Sequence, residues 1–489
     1  MTMDDELAYG LRPGVSVYGK NERIGLILSY PLKAIRLKNH WGPVLDLLER
    51  FDFVPFERIL WAVNGDRPHR VELFLNDLVR KGFLRMKGLG PVAEYPGVTV
   101  VVPVRNRPED LRGCLESLER VEYADGLLEI IVVDDASTDD TRAQVSAFPA
   151  RLLAMGEQRG ASCCRNLGTR EAKGDIIAFL DSDCTVGRNW LRELVPAFND
   201  PGVAGVGGWV DSYYQEKKLD LYEKVKSSLF MGSWPTASSE ENRFFYVPSC
   251  NFLVRREIFL RVGGFNESLT VGEDVDLCWR LQNEGHKIEY RPVGLVFHKH
   301  RNQLKTFCFR RFDYGTSEPL LQKIHSERKK RMPLPVGATL FWGLILISLM
   351  IQHTFPAGLA AFTLGWEGFR RYVKAHGRDV PVGTMTVLIA TGRSYTAFLY
   401  HLFAFASRYY LLPSIVVLLW SPPIGAVIWG MHLVTGLMEY VNKRPRIDPA
   451  SFLWFFTQEQ LFYQSGVWWA CLKTLNFNPI NPRLTTATK

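Results

Sequence analysis

The sequence predicts an α/β protein: a central domain built on a parallel sheet, a small winged-helix-like α+β domain before it and a hydrophobic helical region after it. Three observations predict this fold class. Three apolar runs between residues 98 and 183 alternate with helix-like segments. The first 90 residues change from short alternating runs to helical spacing. Long apolar stretches gather only after Leu334. We expect domain boundaries at 1–92, 96–316 and 317–489.

Composition narrows the function classes. Because 47% of the 489 residues are hydrophobic, a disordered or fibrous chain is excluded. A net charge of +8 is small for this length, so we expect no nucleic-acid partner. The 8 cysteines form no Cys-x-x-Cys pair, which favours a reducing, cytoplasmic setting over a disulfide framework or a zinc site. The acidic start, MTMDDELAYG, lacks the basic-then-apolar order of a secretory signal, so we expect the first part of the chain on the cytoplasmic side.

The first 90 residues predict short hairpin strands followed by three short helices. Apolar and polar residues alternate from Leu11 to Leu37, and helical spacing then continues to Val79, with Gly82 where a helix would be capped. The third helix carries Glu72 and Asp77, whose charges would repel DNA phosphates. A DNA-binding winged helix is therefore disfavoured.

This order of elements resembles the PqqD-like peptide-recognition domains of ribosomal-peptide maturation systems. The resemblance implies that an extended leader peptide adds to the edge of the hairpin strands, where it would satisfy open backbone groups. An accessory domain that only packs against its neighbour is the alternative that the pattern leaves open.

Polar clusters follow the three apolar runs VTVVVPV, EIIVVDD and DIIAFLDSD. In open parallel sheets, ligands bind outside the carboxyl ends of the strands. One Asp-Asp pair at a strand end would more often be a turn or a helix cap, but three clusters at successive strand ends predict a shared site. The clusters are Arg105, Asn106 and Arg107; Asp134 and Asp135; and Asp181, Ser182 and Asp183.

Four segments resemble the inverting glycosyltransferases of family 2 in order and spacing: VVVPVRNRPEDLRGCLESL, EIIVVDDASTDDT, CRNLGTREAKGDIIAFLDSD and GEDVDLCWRLQNEGHKIEYRP. The resemblance covers Val98 to about Gly315. It implies the GT-A nucleotide-sugar-binding fold, which is Rossmann-like, a UDP-sugar donor, and a divalent metal, Mg²⁺ or Mn²⁺. A cation of this kind is needed because a nucleoside diphosphate leaves only when its developing charge is neutralised.

The resemblance also implies roles for single residues. Asp183 would bind the metal together with His298, which lies 24 residues (298 − 274) after Asp274; His300 is the alternative ligand. The donor would be held by residues at the strand ends and on the following helix. Pro103, Arg105, Asp134 and Asp135 would surround the uracil and ribose, Arg165 and Asn166 would face the diphosphate, and Asp181 would lie near the ribose or the metal.

A Gly-Glu-Asp sequence at Gly272, Glu273 and Asp274 opens a predicted helix. Acidic residues at a helix start often serve only to satisfy free amides. The family resemblance instead implies that Asp274 is the general base that takes the proton of the acceptor hydroxyl, with Glu273 supporting it. Single displacement of this kind converts an α-linked donor into a β-glycoside.

The segment after the transferase motifs departs from one branch of the family. A Gln-x-x-Arg-Trp motif, typical of processive polysaccharide synthases, is not found after Asp274, which argues against a synthase that extrudes long chains. The segment from Gln303 predicts an amphipathic helix instead, and we expect its Arg310 and Arg311 at the membrane surface.

The C-terminal region predicts membrane association. Residues 334–366 are apolar apart from a break at His353 and Pro356, which predicts a hairpin of two short helices, and a second apolar pair covers 382–405 and 411–438. Arg393 would cost about 2.5–3.5 kcal/mol at a bilayer centre, which argues against a full span and leaves shallow insertion open. Basic clusters flank these stretches, so we expect an even number of membrane segments and a position on the cytoplasmic face, with membrane lipid as partner. A buried helical core is the alternative.

The order of the three parts is similar to that of the glycosyltransferases of the mycofactocin system. This resemblance implies transfer of glucose from UDP-glucose to the peptide-derived redox cofactor mycofactocin or its precursor peptide, building a β-1,4-glucan chain. Two other functions stay open at this point. One is a membrane glycosyltransferase acting on a lipid or cell-surface polysaccharide, and the other is a peptide-binding adaptor whose transferase domain is inactive.

Overall fold

The computed structural model describes residues 6–19, 24–29, 31–63, 67–88, 90, 92, 94–240, 242–377 and 380–486. The chain divides into two compact units. We call them the sheet unit, residues 1–7, 87–328 and 443–474, and the hairpin unit, residues 8–86, 329–442 and 475–489. The domain boundaries expected from the sequence stay a prediction.

The strands are β1 (Ala8–Leu11), β2 (Val15–Tyr18), β3 (Ile24–Ser29), β4 (Leu32–Leu37), β5 (Val54–Pro55), β6 (Leu84–Lys87), β7 (Val98–Val104), β8 (Leu128–Asp134), β9 (Arg151–Ala154), β10 (Ile176–Phe179), β11 (Cys184–Val186), β12 (Val203–Gly207), β13 (Val210–Ser212), β14 (Thr236–Ala237), β15 (Phe252–Arg255), β16 (Lys287–Tyr290), β17 (Val296–His298), β18 (Arg331–Pro333) and β19 (Arg483–Thr485). The helices are α1 (Gly42–Arg50), α2 (Phe56–Ala62), α3 (Pro68–Arg80), α4 (Pro108–Leu118), α5 (Thr141–Val145), α6 (Ala161–Glu171), α7 (Trp190–Leu194), α8 (Lys218–Lys226), α9 (Arg256–Arg261), α10 (Glu273–Asn283), α11 (Leu304–Ile324), α12 (Val336–Ile351), α13 (Phe355–His376), α14 (Thr384–Trp420), α15 (Pro422–Lys443) and α16 (Pro449–Thr474). Short 3₁₀ turns lie at Asn39–Trp41, Val195–Asn199 and Ser249–Asn251.

The sheet unit is built on an eight-stranded sheet with the order β14-β16-β12-β15-β10-β7-β8-β9. Strands β10, β7, β8 and β9 run parallel, as do β12 and β16, whereas β15 is antiparallel to both of its neighbours. All seven residues of β7 are buried because apolar side chains pack on both faces of the sheet. The α/β prediction is therefore confirmed, and the sheet is mostly parallel.

A second, three-stranded sheet with the order β11-β17-β13 lies in the same unit. Its register places His298 opposite Cys184 on one side and Ser212 on the other. Asp183 comes directly before β11. This small sheet therefore brings an imidazole distant in the sequence to the end of the Asp181–Asp183 segment.

Helices α11 and α16 pack closely within the sheet unit. A Cβ added to Gly315 would lie 2.0 Å from the carbonyl oxygen of Tyr463, and one added to Gly466 would lie 2.0 Å from that of Phe312, so only glycine allows this approach. Arg311 of α11 is buried and ion-paired with Glu223 of α8. The expectation that Arg311 lies at a membrane surface is therefore wrong, because its charge is satisfied inside the protein.

The hairpin unit contains the elements predicted for the front of the chain. Two three-stranded sheets, β5-β1-β6 and β2-β3-β4, accompany α1, α2 and α3. Gly82, just past α3, has a φ of +79°, as its predicted capping position requires. Ile27 of β3 packs with Val382 and Val387, so the β2-β3-β4 sheet contacts the segment that opens α14.

The apolar helices of the hairpin unit differ in one respect from the prediction. Helices α12 and α13 form the expected hairpin, but α14 continues for 37 residues through the place where a break was expected, residues 406–410, and contains Pro413. Ser407 to Tyr410 include no glycine or proline, so nothing in their sequence ends a helix. Among the described residues, α14 and α15 are long and apolar enough to cross a bilayer.

Candidate active site

The first polar cluster lies in the loop after β7. Pro103 is buried and lies opposite Val133 in the parallel register, whereas Arg105 is exposed. Asn106 has a φ of +50°, its backbone N–H donates to Ser137 Oγ (2.9 Å) and its Oδ1 accepts from the N–H of Thr138 (2.9 Å). The loops that follow β7 and β8 are therefore tied together at the carboxyl edge of the sheet.

The second cluster, Asp134 and Asp135, shows two different environments. Asp134 Oδ2 accepts from Arg142 Nε (2.6 Å) and from the N–H of Ser137, while its buried Oδ1 has no partner among the described residues. Both oxygens of Asp135 accept backbone N–H groups, those of Arg159 (2.7 Å) and Gly160 (2.9 Å). Asp135 thus orders the loop that leads into α6, and Asp134 keeps one free acceptor.

Arg165 of α6 joins two distant parts of the chain. Its Nη2 donates to Asp181 Oδ1 (2.6 Å) and its Nη1 donates to Glu273 Oε1 (3.1 Å). The guanidinium is only 4% exposed and lies 5.3 Å from the centre of the Phe265 ring, so it is fixed by packing as well as by charge. Arg165 therefore holds the end of β10 next to the start of α10.

Asn166 is fully engaged by a neighbouring loop. Its Nδ2 donates to the carbonyl of Phe265 (2.9 Å) and to Glu267 Oε1 (3.0 Å), and its Oδ1 accepts the N–H of Phe265 (2.8 Å). A Cβ on Gly264, whose φ is +69°, would lie 2.5 Å from Asn166 Oδ1. In this structure Asn166 positions the 264–267 loop rather than offering its amide to a ligand.

Asp183 lies at the centre of a group of positive and imidazole side chains. Its Oδ2 accepts from Arg107 Nη1 (2.7 Å) and Arg301 Nη1 (3.3 Å), and its Oδ1 lies 3.5 Å from His298 Nε2. Burial alone would raise the pKa of Asp183, but His298, Arg107 and Arg301 outweigh it and lower that pKa below its ordinary value. The carboxylate is therefore charged and able to accept a cation.

The two candidate histidine ligands differ in their hydrogen bonds. His298 is partly buried, and its Nδ1 has no hydrogen-bond partner within the described part of the chain. His300 is buried and uses both ring nitrogens: Nδ1 lies 2.8 Å from Ser212 Oγ and Nε2 lies 3.1 Å from Asp220 Oδ1. Oxygen, sulfur and nitrogen atoms of Asp183, Cys184 and His298 all lie within 4.8 Å of one another.

Asp274 occupies the first turn of α10, directly after Glu273. Gly272 before it has a φ of +83°, which starts the helix from a left-handed turn. Desolvation and the neighbouring charge of Glu273 raise the pKa of Asp274 to about 7. Its Oδ1 accepts the N–H of Val275 (2.8 Å). A carboxylate with this pKa can hold and release a proton near neutral pH, as a general base must.

Comparison with known proteins identifies the family of the chain. Residues 99–263 match the family model described as glycosyl transferase family 2. The chain is 31% identical over 400 residues to a protein of Mycobacterium tuberculosis named pre-mycofactocin glycosyltransferase, covering 80% of this chain and 82% of that one. The chain belongs to glycosyltransferase family 2. It is a glycosyltransferase, and the prediction of this enzyme class is confirmed.

Two further proteins are similar to shorter parts of the chain. Glycosyltransferase AglE of Haloferax volcanii is 29% identical over 221 residues, which cover 42% of this chain and 70% of that protein. The solved structure of the Pyrobaculum calidifontis mannosyltransferase PcManGT, in complex with GDP-Man and Mn²⁺, is similar with a TM-score of 0.40 at 19% identity, covering 67% of this chain and 94% of that one.

Several polar residues of this family 2 site did not stand out in the sequence. Arg107 and Arg301 both contact Asp183, and Arg142 contacts Asp134. Arg107 was visible as part of a strand-end cluster, but its partner was not, since Asp183 lies 76 residues away. Arg142 and Arg301 carried no signal, because one arginine in a helix or loop is usually a solvated surface residue.

Proposed function

We propose that the protein is a metal-dependent inverting glycosyltransferase that transfers glucose from UDP-glucose to the peptide-derived cofactor mycofactocin or its precursor, building a β-1,4-glucan chain. The name of the Mycobacterium tuberculosis relative supports this acceptor. The observation that supports the proposed reaction is the double ion pair of Arg165, which links Asp181, just after β10, to Glu273, the neighbour of the proposed base Asp274.

The donor atoms at Asp183 and His298 fit a divalent cation. A charged carboxylate and an imidazole whose buried Nδ1 lacks a partner within the described residues are ligand types that Mn²⁺ accepts, and the carboxylate also suits Mg²⁺. His298 is a better candidate than His300, whose ring nitrogens are both engaged. When bound, the cation would neutralise charge on the departing diphosphate.

Charged side chains of the chain itself would hold the donor. Arg107 and Arg301 now pair with Asp183, and they would turn to the diphosphate oxygens once a cation takes that carboxylate. The free Oδ1 of Asp134 is available to a donor N–H or hydroxyl of the nucleoside. Pro103 and Arg105 lie at the end of β7 and would border the same pocket.

Asp274 would act on the acceptor. Its carboxylate takes the proton of the attacking hydroxyl while the hydroxyl oxygen bonds to the anomeric carbon and UDP leaves from the opposite face. Desolvation and the charge of Glu273 raise the pKa of Asp274, and Glu273 is itself held by Arg165. This division of roles makes Asp274 the catalytic base and Glu273 a positioning residue.

The front of the hairpin unit would dock the precursor peptide as a PqqD-like module, and its apolar helices would associate with lipid on the cytoplasmic face of the membrane. Helices α14 and α15 support the second part of this proposal by length and composition. The same apolar helices favour one other acceptor class, a lipid or cell-surface polysaccharide.

Mass spectrometry of the purified full chain tests the proposal. The protein is incubated with Mn²⁺ or Mg²⁺, with UDP-glucose or another UDP-sugar, and with the precursor or a lipid acceptor. We expect a mass gain of whole hexose units on the precursor that disappears on chelation of the metal and in Asp274→Asn. A gain only on lipid would support the second acceptor class, and an unchanged gain in Asp274→Asn would refute the assigned base.

A further inference from the structure

The hairpin of α12 and α13 carries a large exposed apolar surface at its turn. We call the segment 346–366 the hairpin tip. Its large apolar side chains are mostly more than half exposed: Leu346 59%, Leu349 70%, Met350 75%, Ile351 58%, Phe355 66%, Phe362 67% and Trp366 54%. A soluble surface rarely exposes so many large apolar side chains together, so this tip has a partner.

Several polar groups of the turn bond to each other within the turn itself. Ser348 Oγ donates to the carbonyl of His353 (2.6 Å), and His353 Nδ1 accepts the N–H of Phe355 (3.1 Å). The carbonyl of Ser348 accepts the N–H of His353 (3.2 Å), and the carbonyl of Thr354 accepts the N–H of Gly358 (3.0 Å). Backbone and side-chain groups that bond to each other in this way suit a medium that offers no hydrogen bonds.

Charge changes sharply along both arms. Residues 332–366 contain no Asp, Glu, Lys or Arg, whereas Lys329, Lys330 and Arg331 precede the first arm and Arg370 and Arg371 follow in the second. The side chain of Arg370 is 68% exposed. The hairpin thus has an apolar tip and basic residues at its opposite end. This pattern complements an anionic bilayer, whose headgroups attract cations and whose interior accepts apolar side chains.

The lengths of the arms decide the depth. At about 1.5 Å per residue, the 16 residues of α12 extend roughly 24 Å, and the 12 residues of α13 before Glu367 extend roughly 18 Å. The hydrocarbon core of a bilayer is about 30 Å thick. Both arms are therefore too short to cross it. One leaflet is about 15 Å thick, so the arms stay within it when they tilt from the bilayer normal.

We propose that the α12–α13 hairpin is a monotopic anchor, which inserts its tip into the hydrocarbon of a single leaflet of an anionic membrane and leaves both ends of the hairpin on one side. The proposal goes beyond the membrane association proposed above, because it assigns the anchor to a helix pair other than α14 and α15 and fixes its depth. It does not depend on the identity of the sugar acceptor.

Flotation of the full chain with vesicles tests the assignment. We expect binding to vesicles of phosphatidylcholine and phosphatidylglycerol, and a roughly tenfold or larger loss of bound protein in Leu349→Glu/Met350→Glu, because two carboxylates would have to enter the hydrocarbon. The matched control is Trp61→Glu on α2, which places a carboxylate at an equally exposed large apolar side chain outside the apolar helices. Leu419→Glu/Trp420→Glu, at the turn between α14 and α15, measures the contribution of that helix pair. The proposal is overturned if the α14–α15 variant loses binding and the tip variant keeps it, if Trp61→Glu loses as much binding as the tip variant, or if the tip variant binds like the parent.

Labelling tests the depth separately. All 8 native cysteines are buried, so a Gln352→Cys thiol would be the accessible one. In membrane vesicles of both orientations, insertion into one leaflet predicts protection of this thiol from an impermeant maleimide on either side. Reaction from the side opposite the transferase would show a spanning hairpin and would refute the proposed depth. Sugar transfer by the tip variant in detergent verifies that it is folded.

Discussion

Asp183 and Asp274 are two carboxylates in opposite environments. Asp183 faces Arg107, Arg301 and His298, and its pKa is lowered; Asp274 is desolvated beside Glu273, and its pKa is raised to about 7. The surroundings thus give one residue type two different properties: the carboxylate of Asp183 stays charged, as the proposed metal ligand must, and that of Asp274 can take up a proton near neutral pH, as the proposed base must.

The largest expected effect comes from removing the base. In Asp274→Asn, kcat should fall by about 10²- to 10⁴-fold, because no group remains to take the hydroxyl proton. The parent activity should rise with pH through about 7, where Asp274 loses its proton, and this acid limb should vanish in the variant. Steady-state rates between pH 5 and 9 check both points. Glu284→Gln, exposed and just beyond the same helix, is the control that should behave as the parent.

Removing Arg165, which links Asp181 to Glu273, should have the next largest effect on kcat. Arg165→Gln removes both ion pairs, so Asp181 and Glu273 repel each other and the site loosens; we expect kcat to fall by about 10²-fold. The free energy of unfolding should fall by less than the ~3–5 kcal/mol typical of a fully buried pair, since both carboxylates are partly exposed.

Kinetics and urea denaturation measure these two quantities. Arg170→Gln changes an exposed arginine of the same helix and should leave both unchanged. An Arg165→Gln enzyme with parental kcat would show that the two regions act independently.

Removing the metal-holding charge should weaken cation binding. In Asp183→Asn we expect the Mn²⁺ concentration for half-maximal activity to rise by about tenfold or more. Asp110→Asn is the matched control, because Asp110 also pairs with Arg107 (3.4 Å) but lies outside the proposed ligand set. Equal effects in the two variants would indicate that Asp183 acts only through Arg107.

Substitutions of the two candidate histidine ligands should have different effects on the Mn²⁺ concentration for half-maximal activity. His298→Gln should raise the Mn²⁺ requirement, whereas His300→Gln should mainly lower thermal stability, because it breaks buried bonds to Ser212 and Asp220. The opposite outcome would make His300 the ligand.

The last prediction concerns stability rather than rate. The pKa of Asp274 is about 7 in the folded protein and near 3.8 in the unfolded chain, so the folded state binds the proton more tightly. Its contribution to stability is present below about pH 4 and is lost as the pH rises to about 7. Asp274→Asn should therefore have a higher Tm than the parent at pH 8 and an equal Tm near pH 4, as thermal scans would measure.

The sequence was a good guide wherever a pattern is local. The buried strands β7, β8 and β10, the helix that begins at Glu273 and the α12–α13 hairpin follow from short stretches of residues. Partners were harder to predict, since they depend on how distant segments meet. The sequence motif implied that Asn166 faces a diphosphate, yet its amide holds the loop at Phe265, 99 residues away.

Arg311 is a second residue whose partner could not be predicted from the sequence. An arginine in an apolar helix predicts a surface position, because an unpaired buried charge is costly. The compensating carboxylate of Glu223 lies 88 residues earlier in the chain, and only the fold brings the two together. The length and composition of α11 do not reveal that the charge of Arg311 is paired.

The contact between Ile27 and Val382 and Val387 has a practical consequence for anyone who would study leader capture by truncation. Deleting the front of the chain would expose apolar side chains at the start of α14. The remaining protein would then aggregate for a reason unrelated to peptide docking. Loss of activity in such a truncated enzyme would therefore say nothing about binding of the precursor peptide. Charge-reversal substitutions of Lys33 or Arg36 on β4 are a better test of peptide docking. Both side chains are exposed, so their substitution keeps the apolar contact of Ile27.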